Sequence, residues 1–269
     1  MTIAGIIGRD QAPTTHSGLR AWVRDVAALT NPDDVVWCDG SDEERERLTR
    51  KLIDAGTLIP QQTGPRSFRC ALDPDDVAQV GYHTYVCTRD EAAVDPASNW
   101  MEPVDMKIIL TEEYRACMSG RTMYVVPFYL ETSTAGGRPT LGVQITDSAY
   151  VVVAMHLMSS DSDMGAATFG DGSEFVRCLH SVGAPRRAGQ ADVPWPCDHT
   201  KYVAQFPETR TIFSYGSGFP GNALLGDELD ISGLQLNRSE NGDTQAVTPD
   251  ARQSGSGTLE SWFTRAGRG

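Results

Sequence analysis

The residues best suited to chemistry lie in Ser214-Tyr-Gly-Ser-Gly-Phe-Pro-Gly-Asn-Ala-Leu-Leu-Gly226, a glycine-rich loop running into a short apolar segment. Glycine carries no Cβ, so such a loop can press bare backbone N–H groups against an anionic ligand, although tight turns share the composition without binding anything. An enzyme that transfers phosphoryl groups would set a lysine beside the loop. The only lysines are Lys51, Lys107 and Lys201; none adjoins a glycine-rich segment in sequence, and no G-x-x-x-x-G-K-S/T pattern occurs. Ser217 sits between two glycines, but its surroundings are not the G-x-S-x-G of a nucleophile elbow, and no triad partner stands out. His83, His156, His180 and His199 lack metal-ligand spacing, and His180 reads as a packing residue. Asp161, Asp163 and Asp171 read as a solvated turn, because the other positions of a calcium loop are absent. The cysteines (Cys38, Cys70, Cys87, Cys117, Cys178, Cys197) are scattered without a C-x-x-C pair and read as reduced, buried thiols.

The elements that must position this loop alternate between helix and strand. Leu19, Trp22, Val23, Val26 and Leu29 share one helical face, with Ser17 as N-cap and Asn31-Pro32 as the stop. Val35-Val-Trp-Cys38 reads as a buried strand. Ser41-Asp-Glu-Glu44 is a capping-box pattern that opens a helix with Leu48, Leu52 and Ile53 inward, ending near Gly56. Further on, Thr84 to Cys87 reads as a strand, and residues 103–117 as a helix with Met106, Ile109, Leu110 and Tyr114 inward. Arg121 to Phe128 is β-rich, and Leu141 to Thr146 pairs back with it after a polar turn over 131–138. Asp147 and Ser148 cap a helix running through Met158. Phe175 to His180 reads as another helix, stopped by Gly183 and Pro185, and Arg210 to Ser214 is the strand that delivers the loop. Helix, strand and helix in such close succession predict an α/β fold.

From Asp227 onward the composition shifts to Asp, Ser, Gly, Asn, Gln and Arg. The expected organisation is an α/β domain over 1–226 and a polar, largely flexible tail over 227–269, with a short helix around Leu259, Trp262 and Phe263. A net charge of −13 argues against non-specific nucleic-acid binding, which needs Lys and Arg to neutralise phosphates. No run approaches the roughly 18 apolar residues of a membrane span. The N-terminal residues show neither a basic region nor a long apolar run, so a cytoplasmic chain without a signal peptide is expected.

Several stretches, taken in order, resemble the N-terminal domain of GTP-dependent phosphoenolpyruvate carboxykinase, with the closest similarity to bacterial members. They are Asn99-Trp100-Met101-x-Pro103, the run from Gly120 to Phe128, Leu141-Gly-Val-x-Ile-Thr-Asp-Ser148 and Tyr150-Val-Val-Val153. Leu179-His-Ser-Val-Gly183, Trp195-Pro-Cys197, Tyr215-Gly-Ser-Gly218 and Gly221-Asn-Ala-Leu-Leu-Gly226 complete the set, spread over Leu19 to Gly226. Beyond it, Leu229-Asp-Ile-Ser-Gly-Leu234 and Leu259-Glu-Ser-Trp262 are similar to the extreme C-terminal end of bacterial members, as though an internal deletion joined the two ends.

The resemblance implies a mixed sheet with flanking helices and a lyase of gluconeogenesis that converts oxaloacetate and GTP to phosphoenolpyruvate, GDP and CO2 with manganese or magnesium. It also implies which residues hold the organic acid, and here the chain departs from the pattern. Gln79 stands where the family carries a substrate-binding arginine, so a bidentate charged contact becomes a neutral amide. Phe219 and Pro220 replace a tyrosine and a glycine, while Gly221 and Asn222 match; Pro220 removes one backbone donor. Asp227-Glu228 follows where the family continues with paired lysines, one of them a metal ligand. The expectation is a carboxykinase-like protein, inactive as an isolated chain, with no cofactor of its own. Its substrate-type residues would be Gln79, Phe219, Pro220, Gly221 and Asn222, and its partner a small dicarboxylic or phosphorylated acid. Two alternatives stay open: a non-catalytic organic-acid-binding or regulatory module, and an enzyme that reuses the scaffold without nucleotide.

Overall fold

A computed structural model of the chain describes residues 12–61, 68–71, 83–96, 98–130, 140–158 and 174–218. They form strands β1 (Asp34–Trp37), β2 (Leu58–Pro60), β3 (Phe68–Cys70), β4 (Thr84–Val86), β5 (Asn99–Trp100), β6 (Thr122–Leu130), β7 (Thr140–Thr146), β8 (Phe175–Ser181), β9 (Tyr202–Phe206) and β10 (Thr211–Tyr215). The helices are α1 (Ser17–Thr30), α2 (Asp42–Asp54), α3 (Pro103–Tyr114) and α4 (Ala149–Met158).

Eight strands make one sheet in the order β1-β6-β7-β8-β10-β9-β4-β5, and β2 pairs with β3 apart from it. The central strands β7, β8 and β10 are mutually parallel. On either side β6 and β9 turn antiparallel to them, and β1, β4 and β5 follow the outer direction. The C-terminal ends of the three central strands therefore share one edge with the beginning of β6. Crevices outside the carboxyl ends of parallel strands are where open α/β sheets bind ligands.

Alternation along the strands sorts the core into two layers. Met123, Val125, Val143, Ile145, Phe175, Leu179 and Phe213 face the α1 and α3 side with Leu19, Trp22, Val26, Met106, Leu110 and Tyr114. Tyr124, Val126, Phe128, Val176, Cys178 and Ile212 face the α2 and α4 side with Leu48, Leu52, Val151, Val152 and Met155. The expected α/β class, a mixed sheet flanked by helices, is met.

Two local expectations change. The 175–180 segment is the strand β8, not a helix. Its apolar residues Phe175, Val176, Cys178 and Leu179 fit either period over so short a run, and β8 is covered on both faces between two parallel neighbours. The N-cap of α1 is His16 rather than Ser17, with His16 Nδ1 accepting from Leu19 N at 3.0 Å. Ser41 does cap α2, accepting from Glu44 N at 3.1 Å, while the Glu44 carboxylate reaches one residue further back, to Gly40 N. At the other end of α2, Gly56 (φ +75°) permits the paired bonds Gly56 N to Ile53 O and Thr57 N to Leu52 O of a Schellman stop. Among the described residues, no helix is long and apolar enough to cross a membrane.

Candidate functional site

A cleft of about 130 Å³ opens at the shared sheet edge, between the end of α2, the start of α4 and the 184–197 segment. Its floor is Asp147, which follows β7. The buried carboxylate accepts from Ser181 Oγ at 2.8 Å and Val182 N at 2.9 Å, tying the ends of β7 and β8 together. Burial raises its pKa above the ordinary carboxylate value; His180, Arg121 and the two hydrogen bonds oppose that rise without cancelling it. Ser148 caps α4, its hydroxyl accepting from Val151 N at 3.4 Å.

Arg121 enters from the turn before β6. Gly120 makes that turn possible: its φ is +76°, and a Cβ there would overlap the Arg186 carbonyl. The Arg121 side chain is 7% exposed and forks onto both oxygens of Asp192, at 3.0 and 3.1 Å, while its Nε donates to the Ala184 carbonyl. Arg186 Nη1 lies 3.6 Å from the same Asp192. The segment is pinned at its other end by Thr57 Oγ1, which donates to the Pro194 carbonyl at 2.6 Å. Trp195 stands edge-on to Tyr150 with ring centroids 5.0 Å apart. Lys51, from the last turn of α2, meets the Tyr124 hydroxyl at 3.0 Å.

The glycine loop leaves β10 at this cleft, and its first glycines are explained by packing. Gly216 has φ +85°, and a Cβ would overlap the Thr200 carbonyl; a Cβ on Gly218 would overlap the Trp195 indole. Ser217 is 1% exposed, which removes it as a nucleophile. Its carbonyl lies 2.5 Å from His180 Nε2, and Thr146 Oγ1 lies 2.7 Å from His180 Nδ1. Because a carbonyl only accepts, the hydrogen on this imidazole belongs on Nε2, and Thr146 donates to Nδ1 while accepting from Ser148 N. His180 thus joins the cap of α4 to the glycine loop, a packing role in keeping with the sequence reading.

One lysine does meet the loop in space. Lys201, fifteen positions from Gly216 in sequence, donates to the Gly216 carbonyl at 3.0 Å and the Asp198 carbonyl at 2.9 Å. Sequence proximity missed it because the antiparallel β9–β10 pair brings it back, with Tyr202 opposite Tyr215. Bound to carbonyls, it holds the loop's backbone.

Of the residues expected to hold an organic acid, Gln79, Phe219, Pro220, Gly221 and Asn222 all lie outside the described residues, as do Asp161, Asp163 and Asp171. Among the described residues no three His, Cys, Asp or Glu side chains converge as a metal site. His156 is buried 3.4 Å from Glu44, between α4 and α2. The six cysteines are unpaired in disulfides; burial pushes Cys87 up to about 12 and raises Cys38, Cys117 and Cys178 as well, so these thiols are inert.

The model of the phosphoenolpyruvate carboxykinase N-terminal domain matches residues 21–231. The chain belongs to that family. Carboxykinase relatives are correspondingly similar. Phosphoenolpyruvate carboxykinase (GTP) of Corynebacterium efficiens is 47% identical over 228 residues, covering 84% of this chain and 37% of the relative. The proteins of the same name from Corynebacterium kroppenstedtii and Paenarthrobacter aurescens are 46% and 47% identical over 226 and 220 residues, or 83% and 81% of this chain. The chain spans 36–37% of the length of these curated relatives. Every strand and helix described above except α1, which begins at Ser17, falls wholly inside the matched residues.

Proposed function

We propose that this chain retains the organic-acid half of a carboxykinase site and binds a small dicarboxylic or phosphorylated acid without turning it over by itself. The observation that carries this reading is where β10 hands on the chain: Gly218 lies at the mouth of the cleft, one residue before Phe219 and the Gly221-Asn222 pair. The family's acid-binding positions, by resemblance, fall at Gln79 and in the 219–222 segment that follows Gly218 in sequence. A neutral amide in place of a guanidinium predicts weak rather than tight carboxylate binding.

Phosphoryl transfer asks for more positive charge than these residues supply. The sequence contains no P-loop pattern, and Asp227-Glu228 stands where paired lysines continue the family pattern. Purified protein given oxaloacetate, GTP and manganese in a coupled assay is expected to show no phosphoenolpyruvate formation. Turnover that scales with protein concentration would refute this. The expected compartment, in keeping with the reaction class of the relatives, is the cytoplasm.

A further inference from the structure

We propose that the cleft between the end of α2, the start of α4 and the 184–197 segment is an anion site for a phosphoryl or carboxylate group, with Asp192 as its internal competitor. The proposal rests on residues other than Gln79 and Phe219 to Asn222, so it stands or falls separately from the reading above.

Three cations line the cleft, and none is fully satisfied by a fixed carboxylate. Arg121 is buried and held by the Ala184 carbonyl, so it cannot turn away to solvent; its fork needs an anion in front of it. That anion is Asp192, which is 29% exposed and sits on a segment without helix or strand, so it can exchange its place for water. Arg186 reaches the same carboxylate with one nitrogen at 3.6 Å and the Gln190 carbonyl with another, while its Nε is buried without a hydrogen-bond partner among the described residues. Lys51 has the Tyr124 hydroxyl and ring, both neutral, and meets no carboxylate among the described residues. The first turn of α4, through Ser148, Ala149 and Tyr150, adds the positive end of a helix dipole to the same wall.

The opposing charge is weaker than the roster suggests. Asp147 also lines the cleft, but both its oxygens are already engaged, by Ser181 Oγ and Val182 N. The cleft, about 130 Å³, has room for a phosphoryl or carboxylate group. An incoming oxyanion would take the Arg121 fork from Asp192 and gain Arg186 and Lys51, while the Ala184 and Pro194 carbonyls keep the segment in place.

The test measures binding of inorganic phosphate, and in a parallel arm malonate, by thermal shift and calorimetry at ionic strength fixed with sodium chloride. Asp192→Asn removes the competitor and keeps the shape. It is expected to tighten anion binding ~5-fold or more, whereas Lys51→Gln and Arg186→Gln weaken it ~3- to 10-fold, the range of partly exposed charge contacts. Preference for phosphate assigns a phosphoryl ligand and preference for malonate a carboxylate one. If Asp192→Asn binds anions no better than the wild type, the Arg121–Asp192 pair is only a structural clasp and the proposal fails. Unchanged binding in Lys51→Gln, at an exposed position of α2, would overturn it as well.

Discussion

A methyl group at Gly218 would overlap the Trp195 indole, so this glycine is needed for close approach rather than for an unusual backbone angle. Gly218→Ala is expected to cost about 1–3 kcal/mol in urea denaturation, the usual penalty of overpacking, with most of it recovered when Trp195→Leu is added. His180 is buried with both ring nitrogens engaged, and His180→Ala strands the Ser217 carbonyl and the Thr146 hydroxyl. A loss of about 2–4 kcal/mol follows from the cavity and the unpaired groups, read by the same denaturation experiment. Asp147 gives a pH signature of definite sign. Burial raises its folded pKa above the ordinary 3.8, so the folded state holds its proton more tightly than the unfolded chain does. Its contribution to stability is full below about pH 3.8 and is lost as pH rises through the raised value. The stability of wild type minus Asp147→Asn, followed from pH 4 upward, is expected to fall; a difference that rises with pH would show a carboxylate stabilised in its charged form. These roles were hidden in the sequence because each depends on a partner distant along the chain: Gly218 on Trp195, Asp147 on Ser181, and Arg121 on Asp192.

At the scale of elements, helices were more legible than strands. The four described helices carry long periodic patterns or clear caps, and Ser41, Asn31-Pro32 and Gly56 mark ends that the structure reproduces. Ser41→Ala is expected to cost about 1 kcal/mol, the usual value of an N-cap hydroxyl, measured by thermal or urea unfolding. The strands β2, β3 and β5 are two or three residues long, too short to show a period, and β9 escaped notice despite its Tyr202–Phe206 composition. β8 reads as a helix in the sequence because a strand covered on both faces loses the alternation that distinguishes it from a helix. Its place between β7 and β10 predicts that the amides of Val176 to Leu179 are among the slowest to exchange with deuterated water. Fast exchange there, with slow exchange in the outer strands, would contradict the central position of β8.

For the whole molecule, the decisive arrangement is three parallel strands at the centre of a sheet whose outer strands run the other way. That reversal gathers the starts of β6 and α4, the ends of β7, β8 and β10, and the glycine loop at one edge. Sequence alone could say that a strand delivers the loop; it could not say that Lys51, Arg121 and Arg186 meet there, because strand order is not written in local composition. The family match over residues 21–231 takes in every strand of the sheet, while the acid-binding role assigned to Gln79 and Phe219 to Asn222 stays a proposal about chemistry. The most direct measurement is calorimetric titration of phosphoenolpyruvate into wild type, Gln79→Ala and Lys51→Gln. The account predicts saturable heat with the wild type and weaker binding in Gln79→Ala. No heat with the wild type would contradict it, as would binding that Lys51→Gln abolishes and Gln79→Ala leaves unchanged.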